Sequence, residues 1–246
     1  MIHEDEQLDD LWRGELKILQ KKTGFKYGID AVVLAQFVKL KSKQQVLDIG
    51  TGSGIIPILL AGKYPDNHIT ALEIQAAYAE MAQRSVELNQ LQHVKVVEGD
   101  AKRLVQDFGK ESFDVVVSNP PYYNKSIRSQ RPDKAIARSE ILITLPQLIE
   151  QAAGVLKPRG SLYLIYHPGR LTDLMSQLHK HQLELKAIRF IHPAADKEAN
   201  MVLLRATKGG GKEARILSPL FVYQNGDYTQ EIYDIYNDVQ IEKERP

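Results

Sequence analysis

Val46-Leu47-Asp48-Ile49-Gly50-Thr51-Gly52-Ser53-Gly54 decides how this chain folds. The apolar run Gln45–Ile49 ends in glycines, as a buried parallel strand does where it turns sharply into a helix. Gly54–Lys63 then reads as that helix, with Pro57 acceptable because it falls in the first turn, where its missing N–H is not needed. Outward from this unit the pattern repeats. His68–Leu72, Val94–Glu98, Phe113–Ser118 and Ser161–Tyr166 read as strands, and Leu183–Phe190 and Asn200–Thr207 as two final ones. Gln75–Asn89, Glu140–Leu156 (closed by Lys157-Pro158-Arg159-Gly160) and Arg170–His181 read as helices. Strands alternating with helices imply an α/β fold whose parallel sheet is covered on both faces. Ligands of such sheets sit at the carboxyl ends of the strands.

Three parts are expected: a segment 1–43 ahead of the core, a core over 44–208, and a tail over 209–246. In the tail Leu220–Tyr223 is strand-like and Thr229–Asn237 helical. The chain has 246 residues, enough for one large domain with a buried core. It is 43% hydrophobic and 26% charged, which excludes a disordered chain. It has no cysteine, so disulfides, thiolate metal sites and cysteine nucleophiles are excluded. The longest apolar runs, such as Ile55–Ala61, are too short to cross a bilayer, and the acidic start Met1–Glu6 lacks the layout of a secretion signal. A cytoplasmic protein without membrane contact is expected. The net charge of +1 means that a nucleic-acid partner must be held by a local patch.

The glycine loop departs from the dinucleotide fingerprint G-x-G-x-x-G: its third glycine comes one residue early, and Ile55 stands where the fingerprint has glycine. Asp48, at the strand end, would repel a pyrophosphate and suits a cationic ligand such as the sulfonium and α-ammonium of S-adenosylmethionine. Glu73 ends the second core strand in Ala71-Leu72-Glu73-Ile74, where an acid can accept both ribose hydroxyls. Asp100 follows the third in Glu98-Gly99-Asp100-Ala101 and can bond an adenine amino group. Any one of these acids alone would read as a solvated loop carboxylate; three at successive strand ends read as a site.

Asn119-Pro120-Pro121-Tyr122 follows the fourth core strand directly. An aromatic or amide nitrogen is a poor nucleophile because its lone pair is delocalised. The Asn119 amide oxygen and the Pro120 carbonyl can each accept one N–H from it, which favours a pyramidal nitrogen with its lone pair aimed at a methyl group. The prolines fix φ and remove competing donors. Tyr122 offers a face on which a base can stack. Catalysis is then positioning and electrostatics, with no strong base required, and a base within a duplex or stacked loop must first be flipped out.

Together these residues resemble class I methyltransferases that modify exocyclic amines. Gly24-Phe25-Lys26-Tyr27-Gly28-Ile29-Asp30-Ala31-Val32-Val33-Leu34-Ala35 resembles the opening of the bacterial tRNA adenine methyltransferases that act beside the anticodon of a valine tRNA. Phe190-Ile191-His192-Pro193 through Leu203-Leu204-Arg205-Ala206 resembles the same family. The resemblance covers roughly residues 16–208. It implies a Rossmann-like core of seven mostly parallel strands with a reversed last strand, S-adenosyl-L-methionine as methyl donor, and adenine in tRNA as acceptor. Segment 1–43 would cover the cofactor through Tyr27 and Asp30. The cofactor contacts expected are Tyr27, Asp30, Asp48, Gly50, Thr51, Gly52, Gly54, Glu73, Ile74, Asp100 and Ala101, with Asn119, Pro120, Pro121 and Tyr122 as the catalytic set.

The loop 125–138 carries five cations, Lys125, Arg128, Arg131, Lys134 and Arg138, and one acid. Tyr123, Lys125, Arg128 and Arg131 are therefore expected against RNA, on a loop mobile without substrate. Lys17, Lys21, Lys22 and Lys26, and Lys208, Lys212 and Arg215, form two further clusters for which solvated surface charge is an equal reading. His179 and His181 are two apart on a helix and make a poor metal pair, and Tyr223, Tyr228, Tyr233 and Tyr236 read as packing residues. A monomer without metal is expected. A glutamine amide in a translation release factor and a guanine amine in ribosomal RNA offer the same kind of nitrogen. Enzymes of the first kind carry a helical domain ahead of the core, and here only a short segment precedes Gln45. A catalytically silent nucleic-acid-binding module would have no need of Asp48, Glu73, Asp100 and Asn119 together.

Overall fold

The computed structural model describes residues 2–11, 15–23, 28–120 and 143–237. The elements are β1 Glu6–Leu11, β2 Leu16–Lys21, α1 Ile29–Phe37, β3 Gln45–Ile49, α2 Ile55–Lys63, β4 His68–Glu73, α3 Ala76–Leu88, β5 Val94–Glu98, α4 Leu104–Phe108 and β6 Phe113–Ser118. There follow α5 Leu145–Val155, β7 Leu156–Tyr166, α6 Leu171–Lys180, β8 Leu183–His192, β9 Met201–Lys208, β10 Arg215–Ile216, β11 Leu220–Phe221, β12 Tyr223–Gln224, β13 Asp227–Tyr228 and α7 Gln230–Tyr236.

The core strands run in the order β8-β9-β7-β6-β3-β4-β5, parallel except for β9, which is antiparallel to both neighbours. This is the expected seven-stranded sheet with a reversed last strand. The short tail strands β10 and β11 extend it, both pairing in parallel with β8. Side chains alternate across the sheet: Val46, Val117, Tyr163 and Leu203 face one apolar layer, and Leu47, Val116, Leu162 and Leu204 face the other. The first layer is filled by α1, α2 and the tail residues Leu220, Val222, Ile232 and Ile235. The second is filled by α4, α5 and α6. Fully buried side chains such as Ile58 and Leu148 stabilise these layers by about 1.5–3 kcal/mol each.

Two expected boundaries move by more than two residues. The helix expected from Glu140 is not helical at Ile143 and Thr144, while residues 140–142 lie outside the described ones. α5 starts at a capping box in which the Thr144 hydroxyl accepts from the Gln147 N–H, with Pro146 in the first turn, where it displaces no hydrogen bond. The expected closing turn Lys157–Gly160 is instead part of β7. Leu156 already pairs with Phe113, and the register shifts before Ser161 pairs with Val115. Arg159 takes a positive φ of 65° within this bulge. A Cβ on Gly160 would come within 2.9 Å of the Lys157 carbonyl oxygen and 3.0 Å of that of Asp114, so the strand closes on β6 only without a side chain there.

The hairpin β1–β2 adds two strands that the sequence pattern does not announce. A two-stranded hairpin is marginal alone, and α3 holds this one. Ser85 Oγ accepts from the Leu19 N–H at 3.0 Å, Asn89 Oδ1 accepts from the Lys17 N–H at 2.8 Å, and Asn89 Nδ2 donates to the Lys17 carbonyl at 2.6 Å. Glu6, 2% exposed, is gripped by the Arg84 guanidinium through Nη1 at 2.8 Å and Nη2 at 2.7 Å. Arg84 also holds Glu6's carboxyl well below its usual range, at about 2.

Candidate active site

Parallel register brings the carboxyl ends of four strands level. Ile49 of β3 pairs with Leu72 of β4 and with Ser118 of β6, and Glu73 pairs with Glu98 of β5. The residues that follow these positions are Gly50, Ile74, Gly99 and Asn119, so the glycine loop, Glu73, Asp100 and Asn119 occupy one edge of the sheet.

The loop folds over the end of β4. The Leu72 carbonyl accepts from the N–H groups of both Gly50, at 2.9 Å, and Thr51, at 3.0 Å. Gly50, Gly52 and Gly54 have φ of 75°, 56° and 90°, values that side-chain-bearing residues adopt only with strain. Among the described residues a Cβ on Gly50 or Gly52 would meet nothing within 4 Å, so the loop presents bare backbone on this side. A Cβ on Gly54 would lie 3.2 Å from that of Ala82, where α2 starts against α3. Glu73 ties the loop to α3: its Oε2 accepts from the Gly52 N–H at 2.9 Å and its Oε1 from the Gln75 N–H at 3.0 Å. Oε1 also accepts from Gln75 Nε2 at 3.4 Å, a long bond that a ligand hydroxyl can displace, and Oε2 keeps a second lone pair for another.

Asp48 is fully buried, and neither carboxyl oxygen has a hydrogen-bond partner among the described residues. Burial pushes its pKa up to about 7; the Thr51 hydroxyl offsets part of this, although its geometry falls short of a hydrogen bond, and the Glu73 charge adds to the rise. A buried, unpartnered carboxyl behind an open glycine loop is completed by a cation that brings N–H donors. Asp100 is half-buried; its Oδ1 accepts from the Lys102 N–H at 2.9 Å, and Ala101 begins the 3-10 turn so capped. Ile74, 36% exposed, offers an apolar surface beside Glu73.

Asn119 is half-buried and Pro120 buried. Ser118 Oγ donates to the Ile49 carbonyl at 2.9 Å and pins the end of β6 to the end of β3. Asn119 Nδ2 donates to Asp30 Oδ2 at 3.0 Å. Asp30 stands in the first turn of α1, so through it the N-terminal segment reaches the strand ends. Neither Ser118's role nor the Asp30–Asn119 bond is readable from the sequence, since each joins positions far apart in the chain. Tyr27, Pro121, Tyr122, Tyr123, Lys125, Arg128 and Arg131, and the rest of the 125–138 loop, lie outside the described residues.

Of the other cationic clusters, Lys17 pairs with Asp10, Lys21 with Asp5 and Glu6, and Lys208 with Glu111, as solvated surface charges do. His3, Asp5 and Glu6 converge, but Glu6 is already committed to Arg84 and Lys21. Tyr223 and Tyr236 stack on Tyr228, with ring centroids 5.2 Å and 5.9 Å apart. Among the described residues no helix is long and apolar enough to cross a membrane.

A reversed strand slotted between the fifth and sixth, a glycine loop after the first, and Asn-Pro after the fourth define a methyltransferase fold. Residues 28–187 match the family described as the methyltransferase small domain, and the chain belongs to that family. It is a methyltransferase. A Porphyromonas gingivalis protein named tRNA1(Val) (adenine(37)-N6)-methyltransferase is 31% identical over 65% of this chain and 64% of its own length. A protein of the same name from Bacteroides thetaiotaomicron is 28% identical over 89% of this chain and 86% of its own. Among solved structures, a predicted O-methyltransferase from Agrobacterium tumefaciens superposes with a TM-score of 0.69 over 85% of this chain and 95% of its own, at 24% identity. This last likeness is one of fold.

Proposed function

We propose that the protein transfers a methyl group from S-adenosylmethionine to the exocyclic amine of an adenine in tRNA. The observation that carries the cofactor half is Asp48, buried on β3 without a partner among the described residues, beside the strand that Asn119 follows. Asp48 would take the α-ammonium of the methionine moiety, Glu73 the ribose hydroxyls, and Asp100, Ile74 and Ala101 the adenine. Tyr27 would close over them. Bound there, S-adenosylmethionine supplies a methyl group on a positively charged sulfur, which departs as a neutral thioether. Asn119 Oδ1 and the Pro120 carbonyl accept the N–H bonds of the acceptor amine and turn its lone pair towards the methyl. Tyr122 stacks on the base, and the amine proton passes to solvent water once the new N–C bond has made that nitrogen acidic. The acid–base demand on the protein is therefore small.

The names of the relatives support adenine in tRNA as the acceptor, and so do the cations of the loop after Tyr122, which suit phosphate. Tyr123, Lys125, Arg128 and Arg131 would make those contacts. A cytoplasmic monomer is the form proposed. Incubation of the purified protein with labelled cofactor and either bulk tRNA from a strain lacking it or release factor tests this reading. Label in tRNA adenine is expected. Label in release factor alone would transfer the same chemistry to a glutamine amide, and label in neither would overturn the proposal. Asn119→Ala should cut turnover severely and leave cofactor affinity nearly intact; equal loss of both would make Asn119 a cofactor contact.

A further inference from the structure

The amide of Asn119 has two ends with opposite chemistry, and only one suits the acceptor amine. Oδ1 accepts an N–H, whereas the NH2 would set donor against donor. A half-buried amide is free to rotate between the two unless something distinguishes them. Asp30 does so. A carboxylate accepts and cannot donate, so the group facing Asp30 Oδ2 at 3.0 Å must be Nδ2.

The carboxylate is placed there by its own neighbourhood. Asp30 lies in the first turn of α1, where the helix dipole favours negative charge, and the helix is fixed below by Ala31, Val32, Val33, Leu34 and Ala35, all buried. Gly28, just before the helix, has an ordinary φ of −101°, so its lack of a side chain is not demanded by the backbone. It is demanded by Asp30: a Cβ on Gly28 would come within 2.5 Å of Asp30 Oδ1. The Gly28-Ile29-Asp30 turn thus leaves the carboxylate the room it needs.

We propose that Asp30 is a positioning residue for methyl transfer. By accepting from Nδ2 it fixes Asn119 with Oδ1 as the group offered to the acceptor amine. The negative charge behind the amide also polarises Oδ1 and helps it hold an amine that becomes positive as the methyl arrives. This rests on the reading of Asn119 given above, and it moves Asp30's role from the cofactor to the catalytic amide.

Four variants and one spectrum test it. Asp30→Ala should lower kcat by about tenfold to a hundredfold, the range for groups that orient a catalytic side chain, with cofactor affinity and KM for tRNA little changed. Asp30→Asn keeps an acceptor for Nδ2 and should recover most of the loss. Gly28→Ala displaces the carboxylate without removing it and should fall between wild type and Asp30→Ala. Asp30→Ala added to Asn119→Ala should cost nothing further. The spectrum needs no activity: the Asn119 side-chain amide pair, identified by its loss in Asn119→Ala, should shift and exchange faster with solvent in Asp30→Ala.

Cofactor affinity falling in step with kcat would overturn the proposal, as would Asp30→Asn as slow as Asp30→Ala, full additivity with Asn119→Ala, or an unshifted amide pair. An inactive wild-type protein whose amide pair still responds to Asp30→Ala would bring down the reading of the substrate and leave the Asp30 contact standing. Asp30→Asn and Gly28→Ala carry the test if Asp30→Ala fails to fold.

Discussion

Replacing Asp48 with asparagine removes a charge that the folded protein holds at a loss. The carboxyl has a pKa of about 7 in the fold against 3.8 in a free side chain. Between those values the folded protein keeps a proton that the unfolded chain has lost, so stability falls as pH rises through this window and stays level above it. The penalty, at about 1.4 kcal/mol per unit, grows by roughly 2.5–3 kcal/mol between about pH 5 and about pH 8.5. An asparagine in this place cannot ionise and escapes that growth. Its amide is still buried unpaired, at about 1–3 kcal/mol, but that cost is the same at both pH values. Urea unfolding of the cofactor-free protein should therefore show Asp48→Asn gaining roughly 2.5–3 kcal/mol on the wild type between about pH 5 and about pH 8.5. An unchanged difference would show that Asp48 is ionised and solvated in the fold, and would remove the ground for a cation at this position. The stabilised variant should bind S-adenosylmethionine much more weakly, since the proposed partner of its ammonium is gone.

The same carboxyl ties cofactor binding to pH. An ammonium requires Asp48 ionised, so calorimetry in buffers of different ionisation heat should show release of up to one proton below about pH 7, with affinity at about pH 5 on the order of a hundredfold below its plateau. Binding that ignores pH would contradict the assignment. Arg84→Ala leaves Glu6 buried with the His3 N–H at 3.1 Å and Lys21 and the His3 ring each at 3.3 Å, and should cost about 2–3 kcal/mol in urea unfolding and open β1–β2 to proteolysis. Glu6's lowered pKa, about 2 against 4.5, makes its contribution complete above pH 4.5 and lost as pH falls towards 2, so the wild-type advantage over Arg84→Ala should shrink in acid. Gly160→Ala forces backbone from the Lys157 and Asp114 carbonyls and should destabilise by about 1–3 kcal/mol without changing cofactor affinity.

The core strands are legible in the sequence because both faces of the sheet are buried. Gln45–Ile49, Val94–Glu98 and Phe113–Ser118 are runs whose apolar content admits few other placements, and they match β3, β5 and β6 residue for residue. β1 is hidden because its pattern is inverted: Glu6 is buried while Leu8 is 41% exposed. Arg84, far along the chain, is the main group that makes that arrangement tolerable. The start of α5 is misplaced by apolar periodicity, which extends upstream of Thr144, whereas the capping box and Pro146 set the true boundary. At the site, Asp48, Glu73, Asp100 and Asn119 are readable because each lies at or just past the end of a strand. The partner of Asn119 is not, because parallel strands fix which ends are level and say nothing of which helix turn leans over them.

The place of β9 has a consequence for synthesis. Among the described residues the sheet partners of β8, namely β9, β10 and β11, come later in the chain than β8 itself. β3 to β7 can assemble as they emerge from the ribosome. β8 emerges with nothing to pair with, and the outer edge of β7 stays open until Met201–Lys208 arrives and bonds to both. A nascent chain that has emerged past His192 but not yet to Lys208 therefore holds one unpaired strand and one open edge.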